Sequence, residues 1–492
     1  MSWAHFIVIL AAVLGDRSLR ASGHECAGSF PARAQEAASA ASTAPVAPRE
    51  PEFVRDIAPI IAKSCSECHR PGGVAPFALA TPDDLIRRAK TIRTVVTDGL
   101  MPPWGAAMPE GSPHRFANDR SLGAEEKRTL LAWLDSDTRL LGDVSKLPPP
   151  PPPAPEWSIG KPDSVFELPR EVEIRASGQM PYVNLRVPTG FTEDRWVRAW
   201  EVVPGARDVV HHVLVFAVPA GARGRADEAR GFFAAYVPGN GAKRYGAEHA
   251  KRLPAGSDLL FQLHYTPNGK ATVDRTRLGL VFADAPPKHE VRTAGIFDPR
   301  LDIAPGAASH REGTEITVPA DLRILAWMPH MHARGKSFRA YRKTGDTREV
   351  LLEVPRYDFN WQFAYEYAQP VELKRGSTLG IEAVFDNSAE NAANPDPSKR
   401  VRWGQQTTDE MLIGYVEYEL LDPNGPGLAG GGRPRDPAAQ FAFLDENRNG
   451  AIDRGEGGPL VERAFDAADT DGDGRVTRPE FEAFVSRRNR RN

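Results

Sequence analysis

The chain has 492 residues, room for about three or four domains at roughly 100–200 residues each. Hydrophobic residues at 41% and charged residues at 26% exclude wholesale disorder, and a formal net charge of -3 excludes a nucleic-acid binder held by a basic surface. Three cysteines exclude a disulfide framework, while 44 prolines and 43 glycines favour extended, turn-rich β structure and linkers over a helical bundle.

In chain order, the apolar run Ala4–Gly15 has the length of a secretory signal rather than of a membrane span, and the small residues of Ala37–Ala44 suit cleavage and a flexible leader over residues 1–49. An uncleaved N-terminal anchor is the alternative. The expectation is an exported protein, periplasmic or extracellular.

Residues 50–146 carry apolar residues at three-to-four spacing: Phe53, Ile57, Ile60 and Ile61, then Leu85, Ile86, Ile92, Val95 and Val96. This predicts helix over 52–100, and 126–135 predicts a further amphipathic helix. Within the block lies Cys65-Ser66-Glu67-Cys68-His69, a C-x-x-C-H run. Two thiols at this spacing can form thioethers to one haem, with the adjacent histidine delivered to the iron. A redox dithiol expects a βαβ context that is missing, and a zinc site needs a second pair. The run resembles that of small c-type cytochromes. Met101, in the proline-stiffened Gly99–Trp104 segment, is the expected sixth ligand, with Met108 and His114 as rivals.

Residues 147–155, with six consecutive prolines, predict a stiff polyproline spacer. Beyond it, short alternating runs (Val209–Val218, Leu259–Tyr265, Ile324–Trp327, Leu379–Phe385, Met411–Leu421) predict strands, and the block is long enough for two packed β-sandwiches, over 156–290 and 291–422. Five of the chain's 12 histidines fall in three of its strand-like patches: His211 and His212, His264, and His330 with His332. Residues two apart face the same side of a strand, so His330 and His332 form a bidentate metal clip, and neutral imidazole suits copper and zinc. His211 and His212 are adjacent and reach one metal only at a strand end, a twist or a bulge. A three-histidine zinc site with catalytic water is a competing reading.

This order of histidines is similar to that of the type II copper, ascorbate-dependent monooxygenases, the family that hydroxylates peptidylglycines or dopamine. The resemblance implies two jelly-roll-like sandwiches and two coppers. It assigns His211, His212 and His264 to the first copper, and His330, His332 and Met411 to a second, catalytic one. Three histidines tolerate both copper valences, whereas two histidines with a thioether favour Cu(I). The family's secreted animal members rely on disulfides, but this β block has no cysteine. Its substrate-binding arginine and tyrosine find no residue-by-residue match here.

A Gly/Pro linker over 423–435 leads to residues 436–492. Asp469, Asp471, Asp473, Arg475 and Glu480, with Gly474 at the sharp turn, fit a 12-residue EF-hand loop. Asp445, Asn447, Asn449, Ala451 and Glu456 form a second loop with two Asn replacing Asp, and Phe443, Phe465 and Phe481 flank the pair. One or two Ca²⁺ are expected, in a structural or docking module.

The fold expectation is therefore multidomain: a small all-α cytochrome c domain, two tandem all-β sandwiches and a C-terminal EF-hand pair. The expected activity is hydroxylation of a C–H bond of an organic substrate with dioxygen, with electrons delivered through the haem from an ascorbate-like reductant or a redox protein. The alternatives are a non-catalytic extracytoplasmic electron-transfer or copper-handling protein and a calcium-dependent adhesin.

Overall fold

The computed structural model describes residues 49–489 apart from 138, 222–230, 346, 429–440, 442–443, 446–448, 455 and 457–463. The apolar run and the small-residue stretch of the leader, together with Phe443 and Asn447, lie outside the described residues.

The N-terminal block is helical. A π turn at Phe53–Ile57 runs into α1 (Ala58–Ser64), followed by α2 (Pro82–Arg87), α3 (Ala89–Thr97) and α4 (Ala124–Asp135). Thr81 and Asp84 cap α2 reciprocally, and Pro82 opens it where no donor is needed. Ile57, Ile61, Leu85, Ile92, Leu130 and Trp133 close one small core. The helix expected through 52–100 is interrupted after Ser64. Pro71 supplies no donor and Gly72 turns the chain at φ +68°, so residues 65–81 form a loop.

The first half of the β block supplies β1 (Ser164–Glu167), β2 (Val172–Ile174), β3 (Val183–Pro188), β4 (Arg195–Val203), β5 (Val210–Pro219) and β6 (Ala234–Tyr236). It continues with β7 (Ala242–Arg244), β8 (His249–Leu253), β9 (Ser257–Tyr265), β10 (Thr272–Asp274) and β11 (Arg277–Phe282). The second half supplies β12 (His289–Phe297), β13 (Asp302–Ile303), β14 (His310–Thr317), β15 (Leu322–His330) and β16 (Gly335–Thr344). It ends with β17 (Thr347–Val354), β18 (Tyr365–Leu373), β19 (Thr378–Phe385), β20 (Val401–Arg402) and β21 (Ile413–Leu420).

Two four-stranded sheets, β3-β9-β5-β6 and β14-β19-β16-β17, pack on a long sheet of order β1-β11-β4-β8-β12-β21-β15-β18. Trp200, Val202 and Leu280 of the long sheet meet Val213, Phe261 and Leu263 in one core. Ile324, Trp327 and Val416 meet Phe338, Leu351 and Ile381 in the other. The two sandwiches thus share a sheet, joined where β12 pairs in parallel with β8. A third apolar cluster lies between them: Leu214, Phe216 and Leu260, from the outer face of the first four-stranded sheet, meet Met328, Met411, Ile413 and Tyr415. This makes β9 buried at all nine positions, with Leu259, Leu260, Phe261 and Leu263 filling both of its faces rather than one.

The helical block is docked on the second sandwich. Ala107 N–H donates to Glu353 O (2.9 Å), Ala117 N–H to Glu366 O (2.7 Å) and Ala368 N–H to Arg115 O (2.8 Å). The Trp104 ring meets Tyr365 edge-on at 4.9 Å, and Phe116 stacks on Tyr367 at 5.4 Å. At the C-terminus, β22 (Ala451–Asp453) and β23 (Arg475–Thr477) pair antiparallel, with α5 (Phe465–Ala468) and α6 (Arg478–Asn489) beside them. Phe441, Ile452, Phe465, Val476 and Phe481 form their core. No helix among the described residues is long and apolar enough to cross a membrane.

Candidate metal centre

The adjacent histidines of β5 are reconciled by a bulge. Val210 pairs with Tyr265 and His212 with His264, so the register shifts at His211, which has no opposite number on β9. The extra residue turns the His211 ring to the same side as its neighbour. His211, His212 and His264 then each offer a ring nitrogen within 4.8 Å of the others. His211 Nδ1 and His212 Nδ1 are 3.2 Å apart, and Tyr182 lies 4.8 Å from the His264 ring. Burial and the neighbouring imidazoles push His211 down to about 4 and His264 to about 3, and hold His212 well below the usual histidine range. All three are neutral near pH 7, with lone pairs available to a metal.

His330 ends β15 and His332 lies just beyond, with ring centroids 5.4 Å apart. His330 Nδ1 donates to Gln362 Oε1 (2.5 Å) and His332 Nδ1 to Asp409 O (3.2 Å). Each bond leaves Nε2 as the acceptor, the usual way an outer partner orients a metal-binding imidazole. Burial again lowers both, His330 to about 4. The backbone around them converges on Glu410, which is fully buried. Its carboxylate accepts from Arg334 N–H (3.0 Å), Met411 N–H (2.9 Å) and His332 N–H. The ladder ends where His330 pairs with Ile413, and just beyond it His332 N–H and Met411 N–H donate to the same carboxylate oxygen of Glu410, which brings the two residues together. Met411 is 1% exposed, in the apolar cluster with Tyr415, whose ring is 6.1 Å from that of His330.

The two histidine sets adjoin, with the His212 and His330 rings 6.0 Å apart. His211 Nε2, His264 Nδ1 and His332 Nε2 are buried without a hydrogen-bond partner. Each such orphan costs about 1–3 kcal/mol unless something pairs with it, and copper fits this donor set. A cavity of about 1180 Å³ opens on His211 and His264, walled by Trp104, Met180, Phe359, Trp361 and Tyr365.

Residues 306–423 match the family model of the copper type II ascorbate-dependent monooxygenase C-terminal domain. The match spans His330, His332 and Met411, whereas the first three histidines rest on the geometry above. Residues 460–485 match an EF-hand model, which covers the second carboxylate loop. No curated protein matches the chain. Among solved structures, the major capsid protein P2 from bacteriophage PM2 is similar at 11% identity, covering 54% of this chain and 99% of that chain with a TM-score of 0.26. A Penaeus vannamei nodavirus structure is similar at 10% identity (53% and 98% covered, TM-score 0.17), and allantoicase at 11% (44% and 79%, TM-score 0.14). At such TM-scores these likenesses carry no argument.

In the helical block, Cys65 and Cys68 are free thiols on the turn after α1, and burial raises Cys65 to about 12. His69 Nδ1 donates to Phe77 O (2.9 Å), which leaves Nε2 for a metal. These residues fit covalent haem: paired thiols and an oriented imidazole. Met101 is half-buried on the loop after α3, where the Arg356 side chain donates to Asp98 O and Gly99 O. The rival His114 is engaged elsewhere, bonding Glu349 Oε1 at 2.8 Å.

In the second carboxylate loop, oxygens of Asp469, Asp471 and Asp473 lie within 4.8 Å of one another. Glu480 accepts from Thr470 and Thr477, which holds its carboxyl down at about 2. Arg475 opens β23 opposite Asp453. In the first loop, Asp445 accepts from Asn449 N–H and Gly450 N–H, Ala451 opens β22, and Glu456 accepts from Asp453 N–H.

Sequence reasoning passed over Gln362, Phe359, Glu410 and Thr407, whose hydroxyl lies 3.1 Å from His264 Nε2. Only Glu410 carried a signal, its place next to Met411.

Proposed function

We propose that this chain is a copper-dependent monooxygenase that hydroxylates a C–H bond of an organic substrate with dioxygen, fed with electrons through a fused c-type haem. The observation that carries the reading is the pair of adjoining histidine sets, with partnerless ring nitrogens, the first of which opens through His211 and His264 on a large cavity. The match of residues 306–423 to a copper monooxygenase domain supports it. His211, His212 and His264 would hold one copper, and His330, His332 and Met411 the other. Copper bound there would supply one electron from each site to the reduction of dioxygen.

The chain's own residues do the rest. Gln362 and the Asp409 carbonyl fix which nitrogen of His330 and His332 faces the metal. Glu410 ties His332 and Met411 to one buried carboxylate, so two of the three ligands of the second set share a backbone anchor. The aromatic cavity wall orients an apolar substrate and restricts water, while Arg356, Asp358 and Asn360 give it a polar margin. Cys65 and Cys68 would attach the haem, with His69 and Met101 as axial ligands. The carboxylate loops would bind one or two Ca²⁺, offering a docking module to a partner outside the cytoplasm. An ascorbate-like reductant or redox protein would reduce the haem.

The test is copper-loaded, haem-replete protein incubated with reductant, dioxygen and a panel of organic substrates. Oxygen uptake that depends on one substrate, with a hydroxylated product, supports the reading. Electron transfer without any product assigns the chain to the non-catalytic alternative, and zinc in both histidine sets after metal-replete expression sinks the monooxygenase reading.

A further inference from the structure

The segment Phe359–Phe363 touches both candidate redox sites. At one end, the Phe359 ring stacks on His211 at 4.4 Å and 28°, with the His332 ring at 5.9 Å. The Gln362 amide oxygen accepts from His330 Nδ1, and its Nε2–H donates back to Phe359 O (3.0 Å), bracing the segment. At the other end, Phe363 is 2% exposed and borders Gly239. A side-chain carbon at Gly239 would lie 3.5 Å from Cys68 Sγ and 3.5 Å from the Phe363 ring, so sulfur and ring are at most twice that distance apart. Arg120 locks this junction: it lies over the Phe363 ring at 5.0 Å, pairs with Glu67 at 3.2 Å and donates to Gly239 O. Trp361 stacks on Phe363 at 5.9 Å and 11°, and lines the cavity at the histidines.

We propose that Phe359–Phe363 is the electron path between the haem attached at Cys65 and Cys68 and the copper held by His330. The proposal rests on the monooxygenase reading above. From the Phe363 ring beside Cys68, the route runs through one peptide bond to Gln362, along its side chain, and across one hydrogen bond to His330. Electronic coupling decays steeply across empty gaps and far less through bonds, and this route has a single gap, at Gly239. Glycine there lets the two units approach: the backbone is at φ +80°, a conformation that glycine adopts without strain. The step is one electron: ferrous haem becomes ferric and Cu(II) becomes Cu(I), with no proton transferred. The docked helical block holds this distance fixed, which a spacer alone would not do.

The test uses full-length protein with ferric haem and Cu(II), reduced at the haem by a pulse of a photochemical one-electron donor. The haem's visible band follows its reoxidation, and the Cu(II) paramagnetic signal follows copper. Wild type should show reoxidation matched by loss of Cu(II), at a rate independent of protein concentration. Gln362→Met removes the acceptor on His330 and keeps the chain length; Phe363→Leu keeps apolar volume and removes the ring. Copper is supplied well above any weakened affinity, so that the sites are equally filled as read by the Cu(II) signal before the pulse. Each variant should then slow transfer by roughly tenfold, the lower end of what removing an outer partner costs a metal site, with haem content unchanged. Trp361→Leu, at a half-buried position, should slow it less. Transfer at the wild-type rate in both Gln362→Met and Phe363→Leu would overturn the path and leave the reading standing. A wild-type haem that stays reduced beside Cu(II), or protein without haem, would overturn both.

Discussion

Replacing His264 with leucine separates a metal ligand from an ordinary buried histidine. In metal-free protein, His264 is 6% exposed, its Nδ1 has no partner, and its Nε2 meets only the Thr407 hydroxyl. Removing the orphaned nitrogen relieves about 1–3 kcal/mol, and the lost Thr407 bond returns about 1 kcal/mol of that. Thr407 lines the cavity, where water replaces its partner. The metal-free variant should therefore equal or exceed wild type by up to about 2 kcal/mol. The sign with pH follows from the same burial. His264 titrates at about 3 in the folded chain against an ordinary value of 6.5. Between those values the unfolded chain binds a proton that the folded chain does not, so wild type loses about 1.4 kcal/mol per pH unit as pH falls through that window. The variant lacks this term, and its advantage should grow from pH 6.5 downwards. With copper the order reverses: at a thousandfold excess over Kd, binding stabilises wild type by about 4 kcal/mol, which the variant forfeits at that site. Urea midpoints with chelator and with copper, at pH 7 and pH 5, read all of this. A variant destabilised by 2 kcal/mol or more in chelator would make His264 a packing residue and refute the reasoning.

Met411→Ile should keep the fold and the Cu(II) signal of the three-histidine set while abolishing hydroxylation; normal product formation would make Met411 merely part of the apolar cluster. Glu480→Gln should remove one Ca²⁺ from a calorimetric titration, because Glu480 closes the loop holding Asp469, Asp471 and Asp473, and should leave copper content unaltered. Cys65→Ala with Cys68→Ala should release haem from denatured protein, read by mass and by the haem band, without disturbing copper bound in the β block. Glu410→Gln should weaken copper at His330 and His332 roughly tenfold, the scale of outer-partner losses, since an amide cannot accept from His332, Met411 and Arg334 together; unchanged affinity would show that the anchor is dispensable.

What the sequence displays best is chemistry carried by contiguous residues. The carboxylate loops and the Cys65–His69 run keep their candidate ligands within a few positions, so spacing alone displays the pattern. The histidine pairs were legible for the same reason, and the adjacency of His211 and His212 correctly demanded an irregular strand. That irregularity is a register shift against β9, a long-range pairing that no local pattern encodes. The shared sheet between the sandwiches was hidden likewise, because it depends on three parallel pairs between β8 and β12. Residues 105–117 have loop-like composition and acquire their role only by bonding to strands some 250 positions away. Gln362 and Phe359 look like core filling until the fold sets them against His330 and His211.

The central claim is hydroxylation by copper at the adjoining histidine sets. Its most direct measurement is the mass of the product formed under ¹⁸O₂ by copper-loaded protein with reduced haem and the substrate that elicits oxygen uptake. The account predicts one ¹⁸O atom in each product molecule, lost when copper is removed and regained when it is restored. Oxygen consumption that leaves the product unlabelled, or labelling that persists without copper, would contradict it.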